Sequence, residues 1–352
     1  MTRIGVEVDA YPESRVHNSQ PHGIGRVVAL DGAWAWNNLG RNVVFAGEDF
    51  RPRAVFDESI FPEDEPSQYD LDVHAILDVA SAGIVVTLNH FGMVRAFSSD
   101  DIRHPGPLRR IAPVWTCTFA PDVERAVVLG DRLVGSRPRE EGAPGLLVSA
   151  RLSRQHESGL LEILAQLETL GMITALVAFH DGTTECIAFG GSGQVGVAPE
   201  TVDGVGQPRW TVDVDFEPRV VLWDGGRVWA AGCDRVEHAV DDYDWEALGG
   251  GGFVALDATD GHVLVRGRFS EDLAWGNGGV AAVLVPGALC GIGRRGQLYE
   301  FDTSNGTRLT ASAPVADASI GIAHAAAKGD QLLYGFNRGG YRLQRIRVPR
   351  TA

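Results

Sequence analysis

The sequence predicts an all-β fold, a seven-bladed β-propeller of four-stranded antiparallel blades closed by the N-terminal strand. Three observations carry this. First, Gly252–Val265 and Gly296–Leu309 are near copies lying roughly 45 residues apart, the repeat length of one blade. Each reads as an alternating strand, a tight turn with Asp and Gly, and a second alternating strand; period-two alternation marks a sheet with one buried face. Second, Asp260-Gly261 and Asn305-Gly306 accept the positive φ angles of short hairpins. Third, a short turn between apolar strands recurs as Asp31-Gly32, Ala82-Gly83, Gly130-Asp131, Asp181-Gly182, Asp224-Gly225, Pro286-Gly287 and Gly329-Asp330. These turns stand roughly 42 to 62 residues apart.

Each turn follows an apolar run (RVVAL, HAILDV, RAVVL, ALVAF, RVVLW, VAAVLV, HAAA) that fits an innermost strand lining the channel. Three further strands complete each unit, so one domain over 1–352 divides into blades near 22–58, 70–119, 121–169, 172–215, 217–270, 276–314 and 318–349. In the third, Leu160–Thr169 fits both a helix and an outer strand; register with the other units favours the strand. The last unit has three strands, and Arg3–Asp9, RIGVEVD, is expected to supply its fourth and so remove an exposed edge.

The chain of 352 residues is 44% hydrophobic, ample for such an interior. Its net charge of −15 argues against nucleic-acid and anionic-membrane partners. With no apolar leader and no 18-residue apolar run, a cytoplasmic protein is expected. Cys117, Cys186, Cys233 and Cys290 are widely spaced without CxxC and read as buried thiols. Trp34, Trp36, Trp223 and Trp229 on strands read as core.

With these residues in view the chain resembles the seven-bladed propellers of the quinoprotein-like and WD-repeat-like superfamily. Gly252–Leu264 and Gly296–Leu309 match the quinoprotein-type repeat, although Val265 and Thr310 stand where its late Trp belongs and no GH…WD pair occurs. Gln20–Gly25, QPHGIG, is similar to the opening of streptogramin-lyase repeats, but their WFTE-type signature is missing, so no catalytic residue carries over.

Aligned on the anchoring turn, the inner strands open with Arg26, His74, Arg125, Thr174, Arg219, Gly279 and His324. Five of these seven are cationic or can become so, in an acidic protein. Like charges converging on an axis repel unless something anionic lies among them. Arg26, Arg125 and Arg219 are therefore candidates to clasp a carboxylate or phosphate, with His74 or His324 to move a proton. Equally, Asp72, Asp122 and Glu124 can neutralise the ring while the arginines knit blades together.

The loops above add Asn89, His90, Arg295 and Arg338 next to glycines, where turn chemistry is the plainer account. The insertion Asp234–Gly250 offers Tyr243 and Trp245 as aromatic walls of a lid, or is a solvated flap. No cofactor is expected; a divalent cation is left open, but His22, His74, His90 and His324 have no ligand spacing within one element. Phosphate-loop, nucleophile-elbow, HExxH and dinucleotide motifs are absent. The expectation is a small anionic metabolite bound at the mouth, turned over in a hydrolase, lactonase or lyase version. The alternative is a non-catalytic platform for a protein partner.

Overall fold

The computed structural model describes residues 24–347 except 39–41, 58–72, 90–91, 121–122, 124, 138–144, 154–158, 162, 169–171, 202, 235–250, 270–274, 277–278, 281, 293–296, 315–321, 330 and 337–342. The first blade comprises Ile24–Leu30, Ala33–Asn38, Asn42–Gly47 and Pro52–Asp57. The second has Val73–Val79, Ile84–Asn89, Met93–Ser98 and Trp115–Thr118. Arg125–Leu129, Arg132–Arg137, Leu146–Arg151 and Ile163–Glu168 build the third. The fourth has Ala175–His180, Glu185–Gly191, Gln194–Thr201 and Trp210–Asp213. Phe216–Trp223, Arg227–Asp234, Gly251–Asp257 and Val263–Phe269 make the fifth. The sixth has Ala282–Val285, Ala288–Ile292, Gln297–Asp302 and Arg308–Pro314. A last sheet has three strands, Ile322–Lys328, Gln331–Phe336 and Leu343–Arg347.

Successive blade strands pair antiparallel in chain order. The first strands of neighbouring sheets pack side by side, and Ile322–Lys328 returns to Ile24–Leu30. The fold is a β-propeller. Complete four-stranded blades among the described residues number six, not seven. The last sheet has three strands among the described residues; the segment expected to complete it, residues 3–9, lies outside them. The glycines of all the anchoring turns have positive φ, from 60° to 98°, which is why each inner strand reverses there.

Where the sequence left Leu160–Thr169 open, Ile163–Glu168 is a strand: alternating Leu167 and Ala165 pair with Leu147 and Ser149. Outer edges are covered from the next blade. Arg109–Arg110 pairs in parallel with Ala54–Val55, and Gly159–Leu160 with Cys117–Thr118. Trp210 Nε1 of the fourth blade donates to Ala258 O of the fifth at 3.0 Å.

Each core cluster is a seam between two blades, since alternation gives every blade two apolar faces. Trp34 and Trp229 are fully buried, and Trp223 stacks on Phe179 at 4.2 Å. All four cysteines are buried free thiols, and burial pushes Cys186 up to about 11. No described helix is long and apolar enough to cross a membrane.

Candidate functional site

The channel mouth is the end where inner strands begin and second strands finish. At this end the ladder is irregular in four of the sheets. Register shifts fall at Ile24/Arg26, Val73/Ala75, Pro218/Val220 and Ile322/His324. His74 and Arg219 are themselves the extra residues; Gly25 and Ala323 precede Arg26 and His324. A bulge turns a side chain out of the strand's alternation and recurs at barrel rims and beside binding sites. The residues aligned from sequence thus open their strands, and the backbone re-aims several of them.

In the third to fifth blades the mouth is fastened by side chains on main chain. Arg125 Nε donates to Thr174 O at 2.8 Å and Ser136 Oγ to Ile173 O at 3.4 Å. Thr174 Oγ1, fully enclosed, donates onward to Pro218 O. From the fifth blade the Glu217 carboxylate accepts the N–H groups of Ser192 and Gly193, each at 3.0 Å. That loop turns through φ 50° at Ser192 and 70° at Gly193, and a Cβ at Gly191 would strike Met172 O. Hairpin geometry accounts for Gly190-Gly191-Ser192-Gly193. Arg125 performs the knitting role that was the rival expectation for the ring.

The seam between the first two blades differs. Arg26 and Asn37 are cross-strand partners, so their side chains share one face. On that face Leu30, Ala33 and Ala35 pack against Val73, Ile76, Val85 and Phe97 of the second blade. Alternation from Val85 places Thr87 and Asn89 on the facing surface, and Arg95 pairs with Thr87. Asn37, Thr87, Asn89 and Arg95 are each no more than 2% exposed. The Arg95 guanidinium stands 5.5 Å from the centre of the Phe56 ring.

Arg26 Nη2 is sealed from solvent. Burial first, then the charge of Arg125, hold the Arg26 pKa well below the usual guanidinium value. Asn89 Oδ1 accepts from Met93 N–H at 2.8 Å, the turn chemistry expected of it.

Of the remaining candidates, His74 is half-buried with Nδ1 sealed, and Arg219 is half-buried. His324 is on its inner strand, its side chain outside the description. His22, His90, Arg295, Arg338, Tyr243, Trp245, Asp72, Asp122 and Glu124 lie outside the described residues. Among the described residues no group of three metal-ligating side chains converges.

Sequence reasoning passed over Arg95, Thr87 and Glu217. Arg95 had a signal, a lone arginine among the apolar residues of MVRAF; Thr87 and Glu217 had none, because their partners belong to other strands or blades.

No family model matches the chain, and no curated protein matches its sequence. Its fold matches the WD40 domain of Neurospora crassa Pan2 at TM-score 0.68 and 10% identity, covering 99% of this chain and 96% of that one. A chain from a mitotic checkpoint complex matches at TM-score 0.65 and 12% identity, covering 99% of both. The WD40 propeller domain of Doa1 matches at 0.61 and 11%, covering 99% and 98%. Identity this low shows a shared fold and nothing finer. The propeller fold that the resemblance implied therefore stands as architecture. Nothing in these comparisons supports its quinoprotein or streptogramin-lyase side, or a hydrolase, lyase or anionic-metabolite function.

Proposed function

We propose that this propeller is a non-catalytic platform that docks a protein partner on its mouth face. The carrying observation is that mouth polar groups engage neighbouring main chain: Arg125 on Thr174 O, Thr174 on Pro218 O, Ser136 on Ile173 O, Glu217 on the 192–193 loop. A general acid or base must reach a substrate proton; these side chains instead make a rigid, charged rim, which suits recognition. The WD40 likeness adds weight by analogy, one neighbour being part of a complex. The metabolite-turnover reading has no comparable support.

The test is capture of partners by wild type, by the mouth variants Arg137→Glu and Arg219→Glu, and by the outer-wall variant Leu264→Glu. Leu264 is 47% exposed on the far side of its blade and makes a fair control. The reading predicts a partner retained by wild type and Leu264→Glu and lost by both mouth variants, each still folded by circular dichroism. Retention by the mouth variants, with loss in Leu264→Glu, would sink it.

A further inference from the structure

We infer that the mouth at the third and fourth blades holds an extended segment of the docked protein, seating one of its carboxylates on Arg137 and one of its apolar side chains on Met172. This rests on the platform reading and names the chemistry of the partner. Among the described residues the exposed large apolar side chains are Leu108, Val114, Met172 and Leu264. Leu108, Val114 and Leu264 lie in or beside outermost strands, whereas Met172, 42% exposed, precedes the inner strand Ala175–His180 at its mouth end. The backbone at Met172 is fixed from both sides. Its carbonyl accepts from Ser192 Oγ at 3.4 Å, Ile173 O accepts from Ser136 Oγ at 3.4 Å, and Thr174 N–H donates to Gly190 O at 2.8 Å. An unbranched thioether on a fixed backbone gives an adaptable apolar contact without ordering the chain beneath it.

A lone exposed apolar side chain is ordinary on a surface; what distinguishes Met172 is its neighbour. The Ser136–Ile173 bond brings Arg137 and Met172, the next residue on each chain, to the two sides of one strand end. Arg137 pairs across the ladder with Leu146, and a Cβ at Gly135 on the same face would meet Phe119 and Val123. Arg137 therefore leaves its strand on the second-blade face, opposite the face that carries Ser136. Side chains on opposite faces of a strand stand on the order of 10 Å apart, about three residues of extended chain.

Among the described residues the Arg137 side chain has neither an ion pair nor a hydrogen bond. Arg125, Arg132, Arg209 and Arg227 instead end on carbonyls or carboxylates. Arg137 is half-buried, with Nε sealed from solvent. A guanidinium already stripped of part of its water gives up less on meeting an anion, and its planar fork matches a carboxylate. The chain as a whole carries −15, which repels a polyanion. The occupant that fits is a segment with a single carboxylate close to an apolar residue.

The experiment measures binding of the acetylated, amidated peptide GLSSEG and its counterparts GLSSQG and GSSSEG by calorimetric titration. Wild type should bind GLSSEG about fivefold or more tighter than either counterpart. Arg137→Gln should lose the preference for glutamate over glutamine and keep that for leucine over serine. Met172→Ser should do the reverse, and Leu264→Glu should keep both. The preference each variant retains shows that it is folded. No binding, equal binding of the three peptides, or both preferences surviving in Arg137→Gln and Met172→Ser, overturns the inference. If Arg219→Glu still loses the captured partner in that case, the platform stands and only this contact falls.

Discussion

Asp181 shows how far one side chain can organise a turn. Its Oδ1 accepts the N–H groups of Thr183 and Thr184 at 2.9 and 2.8 Å, and its Oδ2 takes Arg209 Nη1 at 2.5 Å. The Arg209 guanidinium first, then those N–H groups, hold its carboxyl well below the usual carboxylate range. A depressed folded pKa stabilises fully above the unfolded value of about 4 and is lost as pH falls below it. Asp181→Asn should cost about 1 kcal/mol by urea unfolding at pH 7. The gap to wild type should narrow as pH falls from about 4; an unchanged gap at low pH would contradict the assignment.

Gly232 is the second residue-scale case. A Cβ there would strike Glu217 O, beside the bulge at Arg219. Gly232→Ala should cost about 1–3 kcal/mol in thermal or urea unfolding, the range for overpacking a close contact. A neutral outcome would mean the bulge tolerates a side chain. Nothing in RVWAAGCD marks this glycine, because the atoms it avoids belong to a strand paired with its own.

At the scale of elements, the two strands around each anchoring turn were legible, since alternation and turn residues are local signals. Leu160–Thr169 was ambiguous for a physical reason: Ile163 and Leu167 lie four apart, a spacing that suits both periods, and only pairing with Leu146–Arg151 selects the strand. The parallel pairs Ala54 with Arg109 and Gly159 with Cys117 join residues of different blades and leave no periodic trace. Phe253 shows what a third strand contributes to packing. Its ring meets Phe269 at 5.3 Å, Phe301 at 4.7 Å and Trp229 at 6.3 Å, joining the fifth and sixth blades. Phe253→Ala should cost about 3–5 kcal/mol in urea unfolding. A loss under about 1 kcal/mol would mean the seam collapses onto the space.

The whole molecule depends on the ring meeting itself. Val27, Trp34 and Trp36 of the first blade pack with Leu333 of the last sheet, and Lys328 Nζ donates to Leu30 O at 3.1 Å and Glu48 Oε1 at 2.8 Å. The ion pair is largely exposed and contributes little; the apolar seam decides. Leu333→Ala should therefore cost about 2–5 kcal/mol by thermal unfolding, and Lys328→Met under about 1. At this scale the architecture was readable and the count of complete blades was not, because the recurring turn marks the first two strands of each unit and not whether a fourth completes it. The site was readable only as a ring of strand openings. Which opening side chain is fastened to the main chain of the next blade, as Arg125 is to Thr174 O, follows from contacts between blades.

The most direct measurement is hydrogen exchange of the protein with and without its captured partner. The account predicts slowed exchange at the mouth, at Ser136–Arg137 and Gly191–Gly193, with the opposite turns at Asp31-Gly32, Gly130-Asp131 and Asp224-Gly225 unchanged. Slowing confined to those opposite turns would contradict docking at the mouth.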